Sequence, residues 1–162
     1  MTRNKVTKFL LAGIAGFALL PIDGHGAANA IDRRAAEAEA KMTAGEELSE
    51  RGQFEDAIAR WREAERAFAK AKDVDGEMRA RLREAAACQS LGQHRLALQA
   101  LNSADKLAGD NPRREAEAKA ARGAICTFAR EADQAEPLLR ESLKTARAEK
   151  DKALVATILN DL

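Results

Sequence analysis

The chain has no tyrosine and one tryptophan, and aromatic residues make up only 4% of its 162 residues. β-Branched residues are also few, so the two groups that favour a pleated sheet are both scarce and no strands are expected. There is no apolar run near the roughly 20 residues a helix needs to cross a bilayer. The longest, Phe9 to Leu20, has 12. The formal net charge is only +1, which offers no net positive field to nucleic acid or an anionic membrane surface. Histidine occurs twice and cysteine twice, and neither a phosphate-cradling glycine loop, nor paired zinc ligands, nor a nucleophile elbow can be found. A catalytic or metal-binding reading has little to build on, so no enzyme, cofactor or metal is expected.

Alanine, glutamate, arginine, lysine and leucine dominate what is present, and all are strong helix formers. Start and stop signals predict helices near 32–51, 54–71, 76–91, 94–108, 112–129, 133–148 and from 152 onward. The clearest start is the fifth, where Asn111 can cap and Pro112 fits the first helical position. Pro137 falls in the first turn or so of the sixth, where it is tolerated.

These helices carry a repeat. Gly52-Gln-Phe-Glu-Asp-Ala57 is followed seven residues later by Ala64, and Gly92-Gln-His-Arg-Leu-Ala97 seven later by Ala104. Ala135 with Ser142 continues the series without the glycine, Arg130 standing in its place. The steps of 40 and then 38 residues mark a helical solenoid. Small residues seven apart lie on one helix face and let a neighbouring backbone approach. Trp61 and Phe68, also seven apart, are expected in the core.

The first 30 residues have the order of parts of a secretory signal: Arg3, Lys5 and Lys8, then the apolar run, then Pro21 and Gly24, then Ala28-Asn29-Ala30 as a cleavage motif. Removing them takes away three basic residues and one acidic, leaving 24 basic against 25 acidic. The expected organisation is a signal peptide at 1–30 and a repeat domain at 31–162, in units of about 38–74, 75–111, 112–150 and a partial fourth at 151–162. The protein is expected in the periplasm or secreted, with no stable membrane insertion after cleavage.

The pattern resembles the tetratricopeptide repeat (TPR) family through Gly45, Phe54, Ala57 and Ala64 in the first unit and Ala85, His94, Ala97 and Ala104 in the second. In the third, Gly123, Ala132, Ala135 and Ser142 hold the same places. All three units exceed the family's usual 34 residues, and the excess falls near 72–76 and 109–111. The resemblance implies an all-α, right-handed helical-hairpin solenoid of about three and a half repeats, binding protein in a groove lined by the first helix of each hairpin. Carried over by position, the groove presents Met42, Glu46 and Ser49, then Arg79, Leu82 and Gln89, then Glu117 and Phe128. Relatives that grip a terminal carboxylate use lysine and asparagine in this groove. Met42 with Glu46, and Leu82 with Ala86, replace them, so a mixed surface for a helix or extended segment is expected instead.

Cys88 and Cys126 hold the same place in successive first helices, where the first unit has Leu48. Helices so placed stand at least about 8–10 Å apart, whereas a disulfide needs Cα atoms within about 7 Å, so two buried free thiols are expected. A Cys88–His94 catalytic couple is the one nucleophile pair conceivable outside residues 1–30, and both positions have simpler packing roles. Leu154, Val155, Ile158, Leu159 and Leu162 form an apolar stripe at helical spacing near the C-terminus. The expectation is self-association through that helix, or a chain that forms the N-terminal repeat arm of a larger exported enzyme or signalling protein, for example one bearing a caspase-like CHAT domain.

Overall fold

The computed structural model describes residues 24–162, with side chains from residue 33 onward. The positive start and apolar run expected of an export signal lie outside the described residues. Among the described residues there are seven α-helices and no strand: α1 (Gly24–Glu50), α2 (Phe54–Ala71), α3 (Val74–Ser90), α4 (His94–Ala108), α5 (Pro112–Phe128), α6 (Ala132–Ala148) and α7 (Lys152–Asp161). The expected boundaries hold to within two residues, except that α1 begins eight residues early, at Gly24, and so includes the backbone of Ala28–Ala30. Helix α3 starts at Val74 because the Asp73 carboxylate caps it, accepting from the Gly76 backbone N–H at 2.9 Å. Asn111 does the same for α5, accepting from Arg114 N–H at 3.1 Å, with Pro112 at the first position. Pro137 is inside α6 without ending it.

Each helix packs against the next in sequence, and α1, α3, α5 and α7 also adjoin one another in series. The even helices do not touch each other. The odd helices therefore form the tighter, inner layer of a curved array and the even ones the outer layer.

Five of the six turns share one geometry, in which a residue one or two past the helix end takes a left-handed backbone and the following N–H reaches back five residues. Gly52 (φ 75°) precedes Gln53, whose N–H donates to Leu48 O at 2.9 Å, and Gly92 (φ 69°) precedes Gln93, donating to Cys88 O at 2.8 Å. The third hairpin keeps this turn without glycine: Arg130 itself takes φ 62°, and Glu131 N–H donates to Cys126 O at 2.9 Å. Between hairpins, Lys72 (φ 60°) and Lys150 (φ 57°) do the same. The exception is Gly109, at φ 54° and ψ −139°, a region open essentially to glycine alone.

Inside each hairpin one large side chain of the second helix is seated on one small residue of the first, 16 positions earlier. Trp61 lies so close over Gly45 that a Cβ there would stand 2.4 Å from the indole nitrogen, and that nitrogen donates to Met42 O at 3.3 Å. Leu139 lies over Gly123, 2.7 Å from where a Cβ would be. In the second hairpin Leu101 and Ala85 share one buried cluster. Phe68, fully buried, seats the start of α3 through Gly76 in the same manner. Trp61 and Phe68 are thus core residues, as the sequence indicates. Charge also ties α2 to α3: buried Glu84 accepts from Arg62 at 2.7 Å and Arg81 at 3.0 Å, and Arg81 reaches Glu65 at 2.6 Å.

Cys88 and Cys126 are free and buried. Burial, first, and then Glu84 beside Cys88 and Glu131 beside Cys126, push both thiols above their ordinary range. The His94 ring nitrogen Nδ1 is bonded to Gln89 Oε1 at 2.9 Å, and Cys88 belongs to the main core cluster, so each member of the conceivable catalytic couple has another occupation.

Candidate protein-binding groove

The inner faces of the four odd helices enclose a groove with a cavity of about 400 Å³. Helix α1 supplies Met42 and Glu46; α3 supplies Arg79, Leu82, Arg83 and Ala86; α5 supplies Arg113, Glu117, Ala120, Ala121 and Ala124; α7 supplies Ala153, Leu154, Thr157 and Asp161, with Asp151 at its cap. The floor is therefore made of alanine, leucine and methionine. Small residues there follow from the repeat itself, since adjoining first helices need room to approach.

Charged side chains stand along the rim in cross-helix pairs. Arg79 of α3 bonds Glu39 of α1 at 2.5 Å and lies over the Phe68 ring, 5.5 Å from its centre. Arg83 reaches Glu46 at 3.3 Å. Arg113 bonds both Glu117, at 2.8 Å, and Asp151, at 3.0 Å. Asp151 also caps α7, accepting from Leu154 N–H at 3.0 Å, so one carboxylate fixes the start of the fourth wall against the start of the third. That backbone bond, then Arg113, holds the Asp151 carboxyl below the ordinary range. Glu117 goes the other way: burial raises it, and Asp151 and Asp75 add to the rise against the opposing Arg113. Asp161, raised by burial alone, stands at the far end of the groove.

Five of the eight residues expected in the groove are there together: Met42, Glu46, Arg79, Leu82 and Glu117. Ser49 lines an adjoining recess of about 360 Å³ between α1 and α3, beside Phe54 and Trp61, with Glu46 shared between the two. Gln89 and Phe128 stand apart from these residues. They line a separate recess with residues of α4 and α6. Gln89 is buried under its bond to His94, and Phe128, the last residue of α5, is 67% exposed.

The fourth wall is α7, whose apolar stripe the sequence offers as a surface for self-association. In the structure that stripe is divided. Ile158 is fully buried, and Leu154 and Val155 pack with it against Leu139, Leu143 and Ala146. Leu159 and Leu162 remain about half exposed. Asp151, three residues before Leu154, was the available signal that α7 is a capped helix folded back onto its neighbours.

Among the described residues no cluster of three or more histidine, cysteine or acidic side chains is arranged to hold a metal ion, and no helix is long and apolar enough to cross a membrane. Fold and groove together define a class: an all-helical array of hairpins with a concave, mixed apolar and charged inner face. No protein-family model, curated protein or solved structure matches the chain.

Proposed function

We propose that the protein is an exported TPR-like scaffold, a right-handed hairpin solenoid that binds a helix or extended segment of another protein in the groove of α1, α3, α5 and α7. The observation that carries this reading is the groove itself, to which all four inner helices contribute an apolar floor and a paired-charge rim. An apolar floor rewards burial of a partner's side chains at about 25 cal/mol per Å², while ion pairs already made within the chain favour register over raw affinity. The TPR assignment rests on the spacing of small residues from Gly45 to Ser142, and export rests on the order of parts in residues 1–30.

The test is selection of displayed peptides on the full chain, followed by Ala86→Glu and Thr157→Glu, two exposed groove positions on α3 and α7. Binders that lose at least tenfold in affinity on either variant support the reading. Selected binders indifferent to both variants would overturn it.

A second reading is favoured by the half-exposed Leu159 and Leu162, which form an apolar edge on α7. It is self-association through that helix. Sedimentation equilibrium decides: a dimer dispersed by Leu159→Lys supports it, and a monomer at all concentrations removes it. The reading as the repeat arm of a larger exported enzyme or signalling protein stands on the sequence alone, and the reading frame beyond Leu162 tests it.

A further inference from the structure

Charge in the groove does not balance. Its three cations, Arg79, Arg83 and Arg113, are all paired within the chain: Arg79 with Glu39, Arg83 with Glu46, and Arg113 with both Glu117 and Asp151. Asp161 is a fifth carboxylate, and no side chain among the described residues bonds it. Arg130 and Arg140 share a second recess with it, but Arg140 is bonded to Glu136 at 2.7 Å and neither cation acts on the Asp161 carboxyl, which burial alone perturbs. Three cations against five carboxylates leave the groove with two negative charges in excess.

Two places carry that excess. At the start of α5 one guanidinium serves both Glu117 and Asp151, so each carboxylate is answered in part. At the far end of the groove Asp161 is partly buried and not answered at all. A carboxylate that loses water without gaining a cation is an unfavourable arrangement, and a cation brought from outside relieves it. The helix sets the distance to the nearest apolar foothold on the same wall. Leu154 and Asp161 both line the groove, two turns apart on one face of α7, which places them about 10 Å from each other along the axis.

We propose, resting on the groove reading above, that the partner is a basic segment, with an apolar side chain seated beside Leu154 and a lysine or arginine about 10 Å farther along paired with Asp161. The apolar floor supplies most of the affinity, and the ion pair selects the partner and fixes its direction along α7. An acidic segment of the same shape is rejected, since it adds to a charge already in excess.

The probe is acetyl-Leu-Ala-Ala-Lys-amide, whose leucine and lysine stand about 10 Å apart when extended. It is titrated into the full chain carrying ¹³C-labelled leucine methyls, with the peptides ending in glutamine and in glutamate as neutral and acidic controls. Saturable shifts at Leu82 and Leu154 are expected, the lysine peptide binding roughly two- to five-fold more tightly than the glutamine one, as suits a partly exposed ion pair. Asp161→Asn should erase that preference and leave the glutamine peptide unaffected. Asp161→Lys should pass the preference to the glutamate peptide. Equal binding of the lysine and glutamine peptides, or a lysine preference that survives Asp161→Asn, overturns the proposal and leaves the groove standing. Shifts that avoid Leu82 and Leu154, or that do not saturate, also overturn it, and the displayed-peptide selection then judges the groove by itself.

Discussion

Gly45→Ala should destabilise the protein, although it replaces a mid-helix glycine by the best helix former. Taken as a helix position alone, the change is favourable by about 1 kcal/mol. Against this stands the indole of Trp61. A Cβ at position 45 would lie 2.4 Å from Nε1, 2.6 Å from Cδ1 and 2.9 Å from Cε2, all closer than real contacts allow. The ring has little freedom to retreat, because it is 3% exposed and its Nε1 donates to Met42 O. Overpacking of this kind costs about 1–3 kcal/mol, and a rigid, hydrogen-bonded ring puts it near the top of that range, for a net loss of about 2 kcal/mol. The third hairpin is an internal control. At Gly123 the added carbon meets the Leu139 side chain at 2.7 Å, and the second hairpin already combines Ala85 with Leu101, so Gly123→Ala should be close to neutral. Combining Gly45→Ala with Trp61→Leu recreates that alanine–leucine pair in the first hairpin, and a double-mutant cycle should return a favourable coupling of about 2 kcal/mol. Urea unfolding followed by circular dichroism measures all four proteins. Stabilisation by Gly45→Ala, or costs at positions 45 and 61 that simply add, would refute the wedge.

Arg130→Gly should stabilise by about 0.5–1 kcal/mol, since Arg130 holds φ 62° in a turn where the first two hairpins use glycine, and thermal unfolding reads the gain. Asp151→Ala should cost about 1 kcal/mol through loss of the α7 cap, and hydrogen exchange should show Leu154 N–H losing protection before the rest of the chain. The two groove carboxylates predict opposite pH behaviour. Asp151 has a folded pKa below 3.8, so its contribution is present above that value and is lost as pH falls through the folded pKa. Glu117 has a folded pKa above 4.5, so the folded state holds its proton more tightly and stability falls as pH rises from 4.5 through the raised pKa. Melting temperature against pH should show Glu117→Gln flattened in that window; a profile parallel to that of the unaltered chain would contradict it. Cys88 and Cys126 should give a non-reduced mass equal to the reduced one, and alkylation should follow unfolding rather than precede it.

The helices were legible because alanines at a fixed spacing and the caps at Asn111 and Pro112 are local signals. The turn at Arg130 was legible only through the period, since nothing in arginine itself announces a left-handed backbone; the neighbouring hydrogen bonds impose it. Met42, Glu46, Arg79, Leu82 and Glu117 came from the positions that the TPR resemblance implies for the groove, and the structure brings them together. Gln89 and Phe128 are not among them, because both lie in the last turn of a helix, where position depends on what stands across the turn. His94 takes hold of Gln89, and no angle along α3 encodes that contact. Asp161 and Leu154 were missed for a related reason: an apolar stripe does not say which of its residues a preceding hairpin will cover.

If the inner layer of odd helices is the binding surface, a bound peptide must lie against its apolar floor. That is tested most directly by methyl shift mapping of a selected peptide on the full chain. Groove binding gives shifts at Met42, Leu82 and Leu154, which line it, with Leu96 and Leu107 of α4 unmoved. Shifts confined to the α4 methyls, with Met42, Leu82 and Leu154 silent, would contradict it.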